Sequence, residues 1–221
     1  MSLLKSNSVQ IGQSVTATNN FTLSVPSSPD GTIKLARGNS GATTADILSV
    51  SSTGAITGAT INGGAITSGT AQSTTSGTAI DFTSIPSWVK RVTVMFNGVG
   101  VSGTSSFLVQ IGSGSITSSG YNSCSAGCID AAAPAVAAST AGYLIIADTA
   151  SDVKNGHMVI TLMGSNLYVS SHTLGGDSAR DVVWWGGGSV TLGGTLDRVR
   201  VTTVNGTDTF DSGSVNIMYE G

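Results

Sequence analysis

In Trp88-Val89-Lys90-Arg91-Val92-Thr93-Val94-Met95-Phe96 the large apolar side chains fall into two sets on an extended chain. Trp88, Val92, Val94 and Phe96 share one side, opposite Val89, Arg91, Thr93 and Met95, which is the period of a half-buried strand. The same period returns downstream. Phe107, Val109 and Ile111 alternate with Leu108 and Gln110, and Met158, Ile160 and Leu162 alternate with His157, Val159 and Thr161. Val199 and Val201 oppose Arg198 and Arg200, and Val215, Ile217 and Tyr219 form a further set. With 143–147, 166–171, 181–185 and 189–192, residues 79–221 read as about eight or nine strands between Gly-rich turns. That pattern predicts a β-sandwich or jelly-roll-like head. Asp130 to Ala141, an Ala run broken by Pro134, reads instead as a short helix or an Ala-rich loop.

Composition points the same way over all 221 residues. The chain holds 30 Gly, 34 Ser and 28 Thr, and only 10% of its residues are charged, against about 25% in an ordinary soluble domain. Glu occurs once, at Glu220, and Lys four times, which leaves few residues for the solvent face of a helix. A mean hydropathy of +0.24 and a net charge of −3 argue against disorder. The fold class expected is therefore all-β. Nine basic residues, scattered singly, offer no footprint for nucleic acid. No apolar run reaches the roughly 18 residues of a membrane-spanning helix. The opening Met-Ser-Leu-Leu-Lys-Ser-Asn-Ser lacks the apolar core of a signal peptide, so synthesis in a cytoplasm is expected.

Two further zones precede the head. In residues 1–50, Val9 and Ile11 lie two apart, as do Phe21, Leu23 and Val25, and Ile33 and Leu35. Asn19-Asn20, Pro26 to Pro29 and Asp30-Gly31 supply turn formers between them. The reading is a set of hairpins with too little bulk to stand alone, hence in need of a partner surface or of copies of itself. Residues 51–78 are rich in Gly, Ser and Thr, with Gly-Ala-Ile-Thr at 54–57 and again at 64–67. A flexible linker is one reading. The other is a short trimeric shaft in which Ile56, Ile61 and Ile66, five apart, meet on an axis, since a linker has no use for regularly spaced apolar residues.

Sites for chemistry are sparse in this pattern. Cys124 and Cys128 with His157 and His172 lack common zinc spacing, and free thiols in a surface loop are the simpler reading. The carboxylate pairs Asp148/Asp152, Asp177/Asp181 and Asp208/Asp211 sit in turn sequences, where Asp bonds its own backbone. They do not by themselves make the flanking acids of a glycosidase. Gly112-Ser113-Gly114-Ser115 reads as a hairpin loop, and the Gly runs open no phosphate-binding helix. Both His residues fall on the more polar side of their strands. Trp184-Trp185, before Gly186-Gly187-Gly188, must point to opposite sides of a strand. One indole is then core, and the other either reaches the surface or enters a subunit interface. Trp184, Trp185, His172 and Tyr168 are the candidate receptor contacts, with no catalytic residue, metal or cofactor expected.

Leu-Lys-Ser-Asn-Ser-Val-Gln-Ile-Gly-Gln-Ser (4–14), Ala-Thr-Asn-Asn-Phe (17–21) and Asp-Gly-Thr-Ile-Lys-Leu-Ala-Arg-Gly-Asn-Ser-Gly-Ala-Thr-Thr (30–44) resemble the virion-attachment segment of tail fibres from tailed, particularly short-tailed, phages. Residues 76–99 resemble the opening of a C-terminal domain common in phage fibre and tail proteins, and 211–221 its last strand. The resemblance implies a homotrimeric virion protein, made in the host cytoplasm and carried on the tail. Residues 1–50 would anchor it to other tail or virion proteins, with Val9, Ile11, Phe21 and Leu23 as anchor. Residues 51–78 would be the shaft, and 79–221 the head that meets a host surface glycan or outer-membrane receptor. A head fibre or capsid decoration protein needs the same parts, and a polysaccharide depolymerase is the enzymatic alternative.

Overall fold

A computed structural model describes residues 8–11, 20–25, 32–39, 42–50, 52–53, 56–58, 66–129, 134–147, 149–176 and 181–221. They are all-β, built from antiparallel ladders. The chain divides into two compact units, Met1–Asn62 and Gly63–Gly221.

The first unit is one sheet whose strands follow chain order: β1 (Ser8–Ile11), β2 (Phe21–Ser24), β3 (Ile33–Asn39), β4 (Ala42–Val50) and β5 (Ile56–Gly58). The hairpins expected from the turn formers are present, and their register is set by apolar partners. Ile11 pairs with Phe21, Leu23 with Leu35, Leu35 with Leu48, and Val50 with both Ile33 and Ile56. Directly paired residues share a face, so Ile11, Phe21, Leu23, Ile33, Leu35, Leu48 and Val50 are laid across one side of the sheet.

The second unit opens with the short β6 (Thr67–Ser68) and β7 (Gln72–Ser73), then β8 (Ala79–Phe82) and β9 (Arg91–Val101). Next come β10 (Phe107–Ser113), β11 (Ser115–Ile116), β12 (Asn122–Ile129), β13 (Ala135–Ser139) and β14 (Tyr143–Ile145). β15 (Lys154–Gly164), β16 (Leu167–Gly175), β17 (Val182–Thr191), β18 (Arg198–Thr203) and β19 (Phe210–Glu220) complete it. The larger sheet runs β13-β12-β17-β16-β15-β9-β19, with β6 and β7 on the outer side of β19. The smaller runs β11-β10-β18-β8, with β14 beside β10. Val94, Phe96, Met158, Ile160 and Ile217 of the first meet Ile80, Phe107, Ile111, Val199 and Val201 of the second in one core, which makes a β-sandwich. Each such side chain contributes about 1.5–3 kcal/mol by leaving water.

Small side chains let the two sheets approach at one corner. β14 pairs with β10 through Phe107–Ile145, Leu108–Leu144 and Val109–Tyr143. Its other side lies over β12, where Leu144 N donates to Ser123 Oγ at 2.9 Å and Ile146 N to Ser125 Oγ at 3.4 Å. Ser123 stands opposite Gly188, and Ser125 opposite Gly186. A methyl group at Gly188 would lie 2.9 Å from Ser123 Cβ, and one at Gly186 would lie 2.6 Å from His172 Cε1. The Gly run that follows the tryptophans is thus a packing surface, which its composition alone had not revealed.

Several expectations change. The strand beginning at Arg91 buries Val92, Val94 and Phe96 as expected, but Trp88 is 40% exposed and Val89 is buried. Trp88 lies in the turn before β9, where strand alternation does not apply. The Ala-rich stretch forms β13 and not a helix or loop, because its pairing with β12 satisfies the backbone. Cys124 and Cys128 lie on strand β12 and not in a loop, as exposed free thiols. Residues 51–78 are divided between the units, since Ile56 pairs with Val50 whereas Gln72 pairs with Val215. The two compact units meet at 62/63.

Alanine for glycine in a strand normally adds about 0.5–1 kcal/mol of stability. At Gly188 the sign should reverse, with a loss of about 1–3 kcal/mol from overpacking. Urea unfolding of Gly188→Ala checks it, and a stabilised variant would contradict the close approach.

Candidate binding surfaces

The anchor positions lie on the first sheet. Val9 pairs with Leu23 and Ile11 with Phe21. Ile11 is 57%, Phe21 37% and Leu23 43% exposed, and Ile33, further along the sheet, 48%. The alternate positions Thr22 and Ala36, paired with one another, are buried. The usual preference is inverted: the side carrying isoleucine, phenylalanine and leucine faces out. Of the shaft positions, Ile56 lies in β5, Ile66 is exposed, and Ile61 lies outside the described residues.

The four head positions separate. Trp185 reaches the outer side of the larger sheet, level with Ala126 of β12 and Thr173 of β16. Cys124, Cys128 and Val183 are exposed around it, and Val136 of β13 pairs with Ala126. Trp184, by alternation, is fully buried, and Lys154 places its ammonium 3.3 Å from the Trp184 ring centroid and 5.5 Å from that of Phe107. The buried Asp152 carboxylate stands 3.6 Å from the same ammonium. A cation held by two rings and a carboxylate ties β15 and β17 of one sheet to β10 of the other.

Tyr168 and His172 are likewise interior, so neither is available to a receptor as expected. Both alternate inward along β16 with Leu174. The Tyr168 hydroxyl accepts from Leu196 N at 3.4 Å, and the Tyr168 carbonyl accepts from the Tyr143 hydroxyl at 3.2 Å. His172 Nε2 lies 3.2 Å from Ser125 Oγ, while Nδ1 is buried with no hydrogen-bond partner. A polar strand sequence concealed a core histidine because its neighbours, Ser125 and Gly186, are small enough to be packed inside. The pair has the atoms of a nucleophile and a base, and both side chains are buried in the sandwich.

The carboxylates scatter as turn and pairing groups. Asp208 accepts from Ser105 N at 3.0 Å and from Asn205 Nδ2 at 2.7 Å, closing a loop. Asp181 and Asp211 are exposed, and Asp148 and Asp177 lie outside the described residues. Among the described residues no group of three or more His, Cys, Asp or Glu is arranged to hold a metal. Gly114, at φ 72°, turns the β10–β11 hairpin where the sequence placed a loop. Comparisons with protein-family models, with curated proteins and with solved structures give no match.

Burial pushes the His172 imidazole down to about 4 from its ordinary 6.5. The folded chain holds it neutral, whereas the unfolded chain protonates it near pH 6.5. Its stability contribution is therefore whole above pH 6.5 and is lost as pH falls toward 4. The loss is on the order of 3 kcal/mol. Its neighbours on the flanking strands, Ser125, Gly186 and Met158, and Ile146 bonded to Ser125, carry no charge to offset it. Thermal unfolding should fall further between about pH 7 and about pH 4.5 in the wild type than in His172→Gln. Equal falls would show that the imidazole does not drive the acid sensitivity.

Proposed function

We propose that the chain is a homotrimeric tail fibre of a phage virion, anchored by residues 1–50 and meeting the host surface through its head. The observation that carries the reading is the outward apolar side of the first sheet. A sheet that exposes Ile11, Phe21, Leu23 and Ile33 on one side loses apolar burial there unless another surface covers it. A virion protein, or the equivalent sheet of two further copies, supplies that cover. The resemblance of residues 4–14, 17–21 and 30–44 to virion-attachment segments supports the same assignment.

The mechanism is binding without catalysis. The head presents Trp185 on an exposed face beside Thr173, Cys124, Cys128 and Val183. Three heads on one anchor raise the effective concentration of the second and third once the first engages, so weak individual contacts yield firm attachment.

Light scattering on the purified chain should give a mass near 66 kDa, about three times the 22.0 kDa of one copy. Phe21→Ser with Leu23→Ser should leave the head folded and remove the protein from assembled particles. A 22 kDa species would overturn the trimer. Labelling of the wild-type chain on the capsid would replace the tail fibre with a head fibre.

A further inference from the structure

A cleft of about 280 Å³ opens on the sandwich where the end strands of the two sheets lie side by side. β7 bounds it from the larger sheet and β8 from the smaller, and Gln72 Nε2 donates across to the Asp81 carbonyl at 2.8 Å. We propose that this cleft is a binding site for a neutral hexopyranose ring of a glycan, with the Tyr219 ring as its stacking surface and Gln72, Asp81, Thr83 and Ser84 as its hydrogen-bonding rim.

Charge narrows the ligand first. Among the described residues Asp81 is the one carboxylate or cation lining the cleft, and Arg200 holds it in a bidentate pair at 2.7 Å through both Nε and Nη2. A site whose sole formal charge is already matched offers nothing to a phosphate or a free cation. It does offer amide, hydroxyl and paired carboxylate groups, which bond hydroxyls of a neutral ligand without a large desolvation cost.

Shape narrows it further. The buried Phe82, Ile85 and Ile217 and the partly buried Tyr219 are the apolar residues of a lining whose exposed part is mostly polar. Trp88 packs against Tyr219 with ring centroids 5.9 Å apart and planes at 53°, which fixes the tyrosine's orientation. A pyranose has one face of C–H groups and an equator of hydroxyls, the arrangement that an aromatic floor with a polar rim accepts. The volume lies just below the roughly 300–1,000 Å³ of pockets for drug-sized ligands, so it holds one ring and leaves the rest of a chain in solvent.

The groups are also set before any ligand arrives. Gln72, the Arg200 pair and the Trp88–Tyr219 contact each immobilise one wall, so little side-chain ordering is left to oppose binding. Ser84 holds φ at 62°, in the left-handed region that a non-glycine residue rarely adopts. Its neighbour Ile85 is tied down by donating N–H to the Asp197 carbonyl at 3.0 Å. Unusual backbone kept in place beside a cleft is where ligand contacts concentrate.

This inference deepens the adhesive reading, on which it rests for the source of the sugar, the host surface. The test is a titration of the isotope-labelled full chain with the methyl glycosides of glucose, galactose and mannose, followed by NMR. Ligand-efficiency limits for so small a molecule put Kd at about 1 mM. At least one glycoside should give saturable shifts at the amides of Asp81 to Ile85 and of Tyr219. Thr83→Trp, which plugs the rim from an exposed position, should weaken that binding about tenfold or more. No saturable shift with any of the three, shifts centred on Trp185, or shifts unchanged in Thr83→Trp would each overturn the assignment. A trimer seated on the virion but silent in the titration removes the cleft assignment alone. A monomer that shows the shifts keeps the cleft and removes the fibre.

Discussion

The head depends on how closely β14 lies against β12 and β17. An edge strand in a sandwich ordinarily leaves its outward N–H groups to water, and burying them without partners would cost about 1–3 kcal/mol each. Here Ser123 and Ser125 accept from Leu144 and Ile146, so the smaller sheet's edge is bonded to side chains of the larger. The arrangement requires residues without bulk in the opposing row, which Gly186 and Gly188 provide. Tyr143, Tyr168 and Tyr121 close the same corner, with Tyr121 and Tyr143 edge to face at 5.0 Å. Serine and glycine, which elsewhere weaken a core, here allow one to form.

A second consequence is electrostatic. A core that admits polar groups at one corner also contains Lys154 between Trp184 and Phe107, with Asp152 beside it. Removing one member would strand the other's charge in the interior, whereas replacing the whole set by apolar residues would not. The sandwich thus joins its two sheets by an apolar core and, at this corner, by directional contacts as well. The first sheet differs in kind: its register is apolar, but its apolar side has no second layer among the described residues of its own unit.

The fold class was legible because alternation and composition agreed. Val92, Val94 and Phe96, Met158 and Ile160, and Val199 and Val201 all face the core that their spacing implied. What the sequence concealed were positions where small neighbours change the meaning of polarity. His172 read as exposed because its strand is rich in Ser and Thr, yet glycine across the ladder turns that side inward. Residues 135–139 lacked any strand former but Val136, and pairing with β12 overrode the Ala bias. The cleft was invisible for another reason. Gln72, Asp81 and Tyr219 are brought together by a contact between sheet edges that no local pattern encodes.

Cys124 and Cys128 are the chain's two cysteines, and both stand on the outer side of β12 with Ala126 between them, level with Trp185. Their thiols are open to solvent on an otherwise unreactive surface of small and apolar side chains. Anything that comes to rest on that side of the larger sheet shields sulfur along with indole. Alkylation rate at these two atoms is thus tied to occupancy of the face, and the protein carries a chemical record of whether that wall is bare or covered.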